Sequence, residues 1–205
     1  MIELTSEYFE SAGITVRQPA KGHRYGEESL ALAGFAEIPD GAAVAELGSG
    51  TALVSLLVAA RHSPSRVAAV EIQPEFHKIA LRNVSENARA EIVRCVNEDY
   101  RDFAGDNAGG FDCVLSNPPF YRADEGRLSP DPVRAAARHE LNGTIEDLVN
   151  SAHRLLKPGG SFFVVFDARR GEELEDAARD AGFETIELKN YEAYLLGEFR
   201  KERHS

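Results

Sequence analysis

The chain has 205 residues, which is enough for one domain of ordinary size with a sizeable buried core. Apolar residues make up 43% of the sequence, but no apolar run is long enough to predict a membrane span. The first residues lack the basic and then apolar layout of a signal peptide, so we expect a cytoplasmic protein. The net charge of −11 argues against broad, charge-driven binding to nucleic acid, although residues 17–24 and 199–204 could form local basic patches.

The sequence alternates apolar strand-like runs with amphipathic helix-like runs. A first helix is predicted over residues 27–36, and Pro74 suits the first turn of a later one. Thr144 and Asp147 have the spacing of a capping pair, and Gly182 is suited to end a helix. Strands are predicted at 43–47, 66–72, 91–96, 111–116, 161–166, 183–190 and 193–201, and further helices at 51–62, 74–88, 144–156 and 171–182.

This alternation predicts an α/β domain with a mostly parallel sheet. Strands that are apolar on both faces and separated by helices are typical of a parallel sheet covered on two sides. The last two strands are joined by only a few residues, which favours a C-terminal antiparallel hairpin. We therefore predict one doubly wound, Rossmann-like domain over residues 1–205 with a seven-stranded sheet. Residues 1–40 would form a cap over cofactor and substrate, and residues 41–205 the core.

The two cysteines, Cys95 and Cys113, both fall inside predicted strands. They are too far apart in sequence for a CxxC motif. We expect both to be buried free thiols rather than a disulfide.

A glycine-rich turn follows the first core strand in the stretch AELGSGTAL, residues 45–53. In doubly wound sheets, ligands bind beyond the carboxyl ends of the strands. Gly48 and Gly50 allow the backbone to turn sharply and to approach a ligand. Glu71 ends the next strand, 21 residues after Gly50, where its carboxylate could accept both hydroxyls of a ribose. This arrangement predicts a nucleoside-containing cofactor.

Two features favour S-adenosylmethionine over a nicotinamide dinucleotide. Glu46 directly precedes the turn and would repel a diphosphate, whereas it suits an ammonium or sulfonium group. Leu53 stands where the third glycine of a dinucleotide motif would be. Asp99, after the third strand, could accept from the adenine amine, with Ile72 and Tyr100 beside the ring. We therefore predict S-adenosylmethionine as cofactor, S-adenosylhomocysteine as its product, and no metal.

The fourth core strand ends in Asn117-Pro118-Pro119-Phe120. A residue before proline is held extended, and proline has no N–H group. The Asn117 side-chain oxygen and the Pro118 carbonyl are therefore two fixed acceptors, suited to an NH2 group that donates twice. Phe120 and Tyr121 offer flat surfaces on which a planar base could stack. Such a site needs no strong base, because an N-methylated cation loses its proton readily.

These residues resemble the class I methyltransferases that methylate amino groups and carry an [DNS]PP[YFW] motif. The segment QPAKGHRYGEESLALAGFA, residues 18–36, is similar to one in the tRNA (adenine-N6) methyltransferases that act on a valine-accepting tRNA. SNPPF, RAAARHE and LLKPGG fit the same family, although Ala52 replaces a frequent glycine.

The resemblance implies roles for further residues. Tyr25 and Gly26 would line the methionine end of the cofactor, with Arg24 and Glu28 nearby. A substrate adenine, splayed out of an RNA loop, would be held by the catalytic residues and the substrate-binding residues. These are Asn117, Pro118 and Phe120 for catalysis, and Arg24, Pro119 and Tyr121 for substrate. His139 and Glu140 match the family without an assigned chemistry.

Other acceptors remain open at this point. A glutamine amide presents the same two donors as adenine, so a glutamine-N5 methyltransferase acting on a protein is one alternative. A small-molecule N-methyltransferase is another, and a non-catalytic scaffold that binds S-adenosylmethionine is a third. The favoured partner is tRNA or another RNA, and a homodimer could supply further basic surface.

Overall fold

The computed structural model describes residues 3–22, 24–118 and 143–203. The chain begins with a two-stranded antiparallel hairpin of β1 (Leu4–Phe9) and β2 (Ile14–Pro19), which lies outside the main sheet. The hairpin is a new element within the predicted cap of residues 1–40. Most of β1 is exposed, so its sequence has no apolar alternation that would have predicted a strand.

The main sheet contains seven strands. They are β3 (Ala43–Leu47), β4 (Arg66–Val70), β5 (Val93–Val96), β6 (Phe111–Ser116), β7 (Leu156–Asp167), β8 (Phe183–Tyr191) and β9 (Tyr194–Lys201). Their order is β5-β4-β3-β6-β7-β9-β8, in which the first five are parallel and β9 runs antiparallel to both of its neighbours. The predicted doubly wound sheet with its C-terminal hairpin is confirmed.

Six helices cover the two faces of the sheet among the described residues. They are α1 (Glu27–Phe35), α2 (Leu53–Arg61), α3 (Pro74–Glu86), α4 (Tyr100–Asp106), α5 (Ile145–Leu155) and α6 (Gly171–Asp180), and a 3-10 turn occupies Ala168–Arg170. The first three pack into one buried apolar cluster and the last three into another. Successive side chains of a strand point to opposite faces, so Val44 belongs to the first cluster and Ala43 and Ala45 to the second.

The predicted helix ends have the expected local chemistry. Pro74 occupies the first turn of α3. The Asp147 N–H donates to Thr144 Oγ1 at 3.2 Å, and the Thr144 N–H donates back to Asp147 Oδ2 at 3.0 Å, which completes a capping box before α5. Gly182 follows α6 with a φ of 88°, a value that favours glycine. The short helix α4 was not predicted, because only Asp99 marks its start.

Asn83 of α3 and Asn87, which directly follows that helix, dock the N-terminal hairpin. Asn83 accepts from the Arg17 N–H at 2.8 Å and donates to the Arg17 carbonyl at 2.9 Å. Asn87, one turn later, makes the same pair of bonds with Thr15 at 2.8 and 2.7 Å. The two side-chain amides therefore pair with backbone N–H and C=O groups on the free edge of β2, as a neighbouring strand would.

Both cysteines are free thiols, as predicted. Cys113 is buried, whereas Cys95 is only half-buried because it lies on β5, the edge strand of the sheet. Burial raises the pKa of both thiols, to about 11 for Cys95 and about 12 for Cys113. No helix within the described ranges is both long and apolar enough to cross a membrane.

Candidate active site

The candidate site lies where the strand order reverses, between β3 and β6. Leu47, the last residue of β3, is in register with Ser116, the last residue of β6. The Ser116 hydroxyl donates to the Leu47 carbonyl at 2.9 Å. The glycine-rich turn after β3 and the Asn-Pro stretch after β6 therefore begin side by side, at the edge where doubly wound sheets bind ligands.

The glycine-rich turn uses three residues with positive φ. Gly48, Gly50 and Ala52 have φ values of 71°, 53° and 63°. A side chain in this region costs about 1 kcal/mol, and glycine escapes that cost. The conformation at Ala52 explains why a glycine is frequent there in the family that the sequence resembles. The N–H groups of Gly48 and Ser49 donate to the Val70 carbonyl at 3.0 and 2.9 Å, which fixes the turn against β4.

Glu71 connects two ligand-facing turns. Its Oε2 accepts from the Gly50 N–H at 2.8 Å and its Oε1 from the Gln73 N–H at 2.7 Å. The carboxyl group is buried, and burial raises its pKa. Each oxygen keeps a second lone pair, so the predicted contact with ribose hydroxyls remains chemically available. The sequence did not reveal that Glu71 also holds the glycine-rich turn in place.

Glu46 is a buried carboxyl group at 3% exposure. Its Oε2 accepts from both the N–H, at 2.8 Å, and the hydroxyl of Ser55 in the first turn of α2. Burial raises the pKa of Glu46 to about 7, which the bonds from Ser55 only partly offset. Within the described part of the chain, Glu46 has no basic partner. A cationic group in the adjacent cavity would therefore supply the charge that this carboxylate lacks.

Asp99 has a structural role besides the predicted one. It caps α4 by accepting from the Arg101 N–H at 2.9 Å, and the Arg101 guanidinium pairs with both of its oxygens. This pairing lowers the pKa of Asp99, so the residue is ionised at neutral pH. Asn97, which follows β5, connects to the residue after β4, since its amide donates to the Glu71 carbonyl at 2.7 Å.

Two adjoining cavities occupy this edge of the sheet. The larger one is lined by the turns after β3, β4 and β5 and by the start of α5; its residues include Glu71, Ile72, Asp99, Tyr100, Pro118, Thr144, Ile145, Leu148 and Phe166. The smaller one is lined by α1, the glycine-rich turn and the start of α2, and includes Tyr25, Ser29, Glu46, Ser49 and Thr51. Gly48, Gly50, Phe76 and Asn117 line both. The pair suits an elongated ligand with one mostly flat end and one charged end.

Asn117 lines both cavities, and among the described residues only the nitrogen of its side-chain amide has a hydrogen-bond partner. Its Nδ2 donates to the hydroxyl of Ser29 on α1 at 2.9 Å. Its Oδ1 is buried and has no hydrogen-bond partner among the described residues. The buried hydroxyl of Ser49, in the smaller cavity, is also without one. Unpaired polar groups of this kind are rare in folded proteins, and here both belong to the cavity walls.

Among the predicted cap residues, Tyr25 lines a cavity whereas Arg24 does not. Tyr25 lines the smaller cavity, and its hydroxyl donates to Glu7 of the hairpin at 3.1 Å. Burial and this carboxylate raise the pKa of Tyr25, which keeps the phenol protonated. The Gly26 N–H donates to Glu28 at 3.1 Å. Arg24 is exposed and donates to Thr5 and to the Pro19 carbonyl, so it lies against the hairpin and lines neither cavity.

Most of the proposed cofactor residues thus meet at one edge of the sheet. Pro119, Phe120, Tyr121, His139 and Glu140 lie outside the described residues. Sequence reasoning missed further wall residues, which are Ser29, Ser49, Phe76, Thr144 and Phe166. Of these, Ser29 stands in the N-terminal family segment and Ser49 between the two glycines, and those positions were the available signals. Among the described residues, no group of three or more His, Cys, Asp or Glu side chains could hold a metal ion.

Named relatives of this chain are tRNA methyltransferases. The tRNA1(Val) (adenine(37)-N6)-methyltransferase of Dyadobacter fermentans is 29% identical over 176 residues, which cover 86% of this chain and 72% of that protein. The protein of the same name from Tolumonas auensis is 31% identical over 163 residues, which cover 78% and 66%.

Solved structures show the same fold. A methyltransferase from Pyrococcus furiosus has a TM-score of 0.67 at 19% identity and covers 93% of this chain and 90% of its own. TYW2 of M. jannaschii, solved in complex with AdoMet, has a TM-score of 0.67 at 15% identity, with coverage of 100% and 88%. At such low identity, these two structures support the fold alone.

The family itself is shown by a match over most of the chain. Residues 29–189 fit the model of the methyltransferase small domain. The match extends from α1 to β8, so it includes every described wall residue of the two cavities except Tyr25. The chain therefore belongs to the methyltransferase small domain family and is an S-adenosylmethionine-dependent methyltransferase.

Proposed function

We propose that this enzyme transfers a methyl group to a planar exocyclic NH2 group, and that adenine N6 in a loop of tRNA is the favoured acceptor. The observation that carries the proposal is the buried Oδ1 of Asn117, which has no partner among the described residues. A lone acceptor at this edge of the sheet suits a substrate that donates hydrogen bonds. The relatives named above, whose printed activity is adenine-N6 methylation of a tRNA, support the choice of acceptor.

The residues of both cavities fit S-adenosylmethionine. Glu71 would hold the ribose hydroxyls, and Ile72 and Tyr100 would flank the adenine, with Asp99 near its amine. The carboxylate of Glu46 and the unpaired hydroxyl of Ser49 would meet the amino and carboxylate groups of the methionine end. When bound, the cofactor supplies a methyl group already activated by a sulfonium.

On the acceptor side, Asn117 and Pro118 would position the nucleophile. The Asn117 Oδ1 and the Pro118 carbonyl are acceptors that can bind the two N–H groups of an exocyclic amine. Holding both N–H bonds directs the nitrogen lone pair away from them, and orientation of this kind accounts for much of the rate when the donor is already activated. Acceptor dipoles also stabilise the positive charge that develops on nitrogen. Pro119, Phe120 and Tyr121 stay predicted as the stacking surface for the base.

An RNA loop is a better acceptor than a duplex for such a site. A base in a loop can be splayed out at low cost, whereas a paired base must first be unstacked. The net charge of −11 means that binding would depend on local contacts rather than on the overall field of the protein. A second copy of the chain in a homodimer could add to that surface.

The direct test is to identify the methylated product. The protein is incubated with labelled S-adenosylmethionine and, in separate reactions, tRNA lacking base modifications, a peptide with a free glutamine amide, and a pool of small amines. We expect label in tRNA, recovered as N6-methyladenosine after nuclease digestion. Label only in the peptide or only in the small amines would replace the tRNA proposal. The Asn117→Ala variant should lose most of this labelling. Asn107→Ala is its matched control and should keep it, because the Asn107 amide caps the end of α4.

A further inference from the structure

The hydrogen bond between Ser29 and Asn117 joins two distant parts of the chain. Ser29 lies in the first turn of α1 at 5% exposure, and Asn117 follows the last residue of β6. The Asn117 Nδ2 donates to Ser29 Oγ at 2.9 Å across a sequence separation of 88 residues. The bond does not cap α1, since no side chain caps that helix.

Both partners have little freedom to move. The Ser29 N–H donates to the Gly26 carbonyl at 3.2 Å, and α1 packs into the core through Leu32 and through Phe35, whose ring meets Phe163 edge to face at 6.2 Å. On the other side, Pro118 restricts the backbone of Asn117 to extended conformations. The main remaining freedom is rotation of the Asn117 amide, which exchanges its oxygen and its nitrogen.

The orientation of that amide decides what the substrate meets. With Nδ2 on Ser29, Oδ1 remains as the acceptor. In the reversed orientation, the amide NH2 would face the NH2 of the substrate, donor against donor. We infer that Ser29 is a positioning residue for methyl transfer, which holds the Asn117 amide with its oxygen toward the acceptor amine. This inference rests on the proposed function.

A hydroxyl can accept and donate, so Ser29 selects one orientation when its own proton is used elsewhere. Serines in helices often give that proton to a carbonyl one turn earlier. Ser151 does so in α5, where its hydroxyl donates to the Asp147 carbonyl at 2.7 Å. In the described structure, the Ser29 oxygen accepts from the Asn117 Nδ2, and no carbonyl of the described residues accepts its own proton, so the inference includes the expectation that this proton is bound as it is in Ser151.

A double-mutant cycle tests the inference. We expect Ser29→Ala to lower kcat roughly five- to tenfold, the effect of losing one neutral hydrogen bond, while KM for S-adenosylmethionine changes less than about twofold. Ser29→Thr keeps the hydroxyl and should restore most of kcat. In an Asn117→Asp background, both ends of the side chain are acceptors, so its orientation no longer matters once the Ser29 hydroxyl rotates to donate to the carboxylate. There, Ser29→Ala should change kcat less than about twofold.

Ser151→Ala is the matched control, because it removes a buried serine hydroxyl from another helix without touching Asn117. It should leave kcat unchanged. A loss from Ser29→Ala that is equal in both Asn117 backgrounds would mean that Ser29 only supports the fold and would overturn the inference. So would a Ser29→Ala enzyme as fast as the wild type.

A second measurement separates this inference from the proposed function. In the free protein, one side-chain amide proton of Asn117 is bonded to Ser29, and NMR should show slow exchange of that proton with water. Ser29→Ala should accelerate the exchange several-fold, and Ser151→Ala should not. If the wild type methylates no NH2 acceptor, the proposed function fails, whereas an unaltered exchange rate in Ser29→Ala would contradict the positioning of the amide itself.

Discussion

The cofactor side and the acceptor side of the site use their polar groups differently. On the cofactor side, the carboxylates of Glu46, Glu71 and Asp99 each accept at least one backbone N–H at 2.7–2.9 Å. On the acceptor side, the Asn117 oxygen accepts nothing from the described residues. The carboxylates of the first side are therefore held by the protein before any ligand arrives, whereas we expect the acceptor of the second side to be paired only by its substrate. Substitutions on the two sides should separate into effects on binding and effects on turnover.

The largest effect is expected at Asn117. Asn117→Ala removes the acceptor proposed to hold the reacting amine, so kcat should fall roughly 100-fold or more, as for other groups that stabilise developing charge. The dissociation constant of S-adenosylmethionine should change less than about threefold, because the contacts of the cofactor side stay intact. Single-turnover methyl transfer and calorimetric titration measure the two quantities. Unchanged turnover in Asn117→Ala would contradict the proposed role of Asn117 on the acceptor side.

Glu71→Gln tests the cofactor side. The Gly50 and Gln73 N–H groups donate to different oxygens of Glu71, and in glutamine one of these positions becomes an NH2 group that cannot accept. We expect the dissociation constant of S-adenosylmethionine to rise roughly 10- to 100-fold, with kcat retained at saturating cofactor. Glu86→Gln is the control, since Glu86 is a surface carboxylate paired with Arg17 at 2.7 Å. Tight binding by Glu71→Gln would show that the turn needs no such support.

Glu46 should make cofactor binding depend on pH. Its pKa of about 7 means that the carboxyl group is mostly neutral at pH 6 and ionised at pH 8. Because the ionised form attracts the cationic cofactor, affinity should be roughly tenfold lower at pH 6 than at pH 8. Glu46→Gln should bind weakly at both pH values. Calorimetry at the two pH values decides the matter, and an equal pH response in wild type and variant would contradict it.

Glu46→Gln should weaken cofactor binding but stabilise the folded protein at high pH. The pKa of Glu46 is raised on folding from 4.5 to about 7, so its stabilising contribution is complete below pH 4.5 and is lost as pH rises through 7. Above that pH, the buried charge opposes folding. Glu46→Gln should therefore raise the free energy of unfolding at pH 8 by on the order of 3 kcal/mol, with little gain at pH 4. Urea unfolding at both pH values measures this difference.

The smallest effect is expected at Thr144, which borders the larger cavity and caps α5. Thr144→Ala removes the acceptor for the Asp147 N–H and should lower the free energy of unfolding by about 1 kcal/mol. The dissociation constant of the cofactor should change less than twofold. Thermal unfolding provides the measurement, with Thr185→Ala on the exposed edge strand β8 as control. Equal melting temperatures for the two variants would argue against the cap.

The sequence was sufficient for the sheet and for the positions in the fold of the proposed cofactor residues. The spacing of apolar residues along the chain differs between helices and strands, so it identifies these elements. Residues at the carboxyl ends of parallel strands must then meet at one edge of the sheet. Glu46, Gly48, Gly50 and Glu71 could therefore be placed without coordinates.

The contacts that organise the site could not be predicted in this way. The bonds of Asn83 and Asn87 to β2 span 66 and 72 residues, and that of Asn117 to Ser29 spans 88. No local pattern encodes such pairings, since they depend on how separate elements dock. Arg24 is a similar case, because its bond to Thr5 arises only once the hairpin has formed.

Asn83 has a consequence that extends beyond docking the hairpin. Besides its two bonds to Arg17, its Nδ2 donates to the Thr51 carbonyl in the glycine-rich turn at 2.9 Å. Because one fully buried side chain holds both, we expect the hairpin and the glycine-rich turn to open together, as one unit of local unfolding. The backbone amide of Arg17, far from the cofactor in sequence, becomes a reporter of that opening. Its hydrogen exchange should slow when the cofactor is bound.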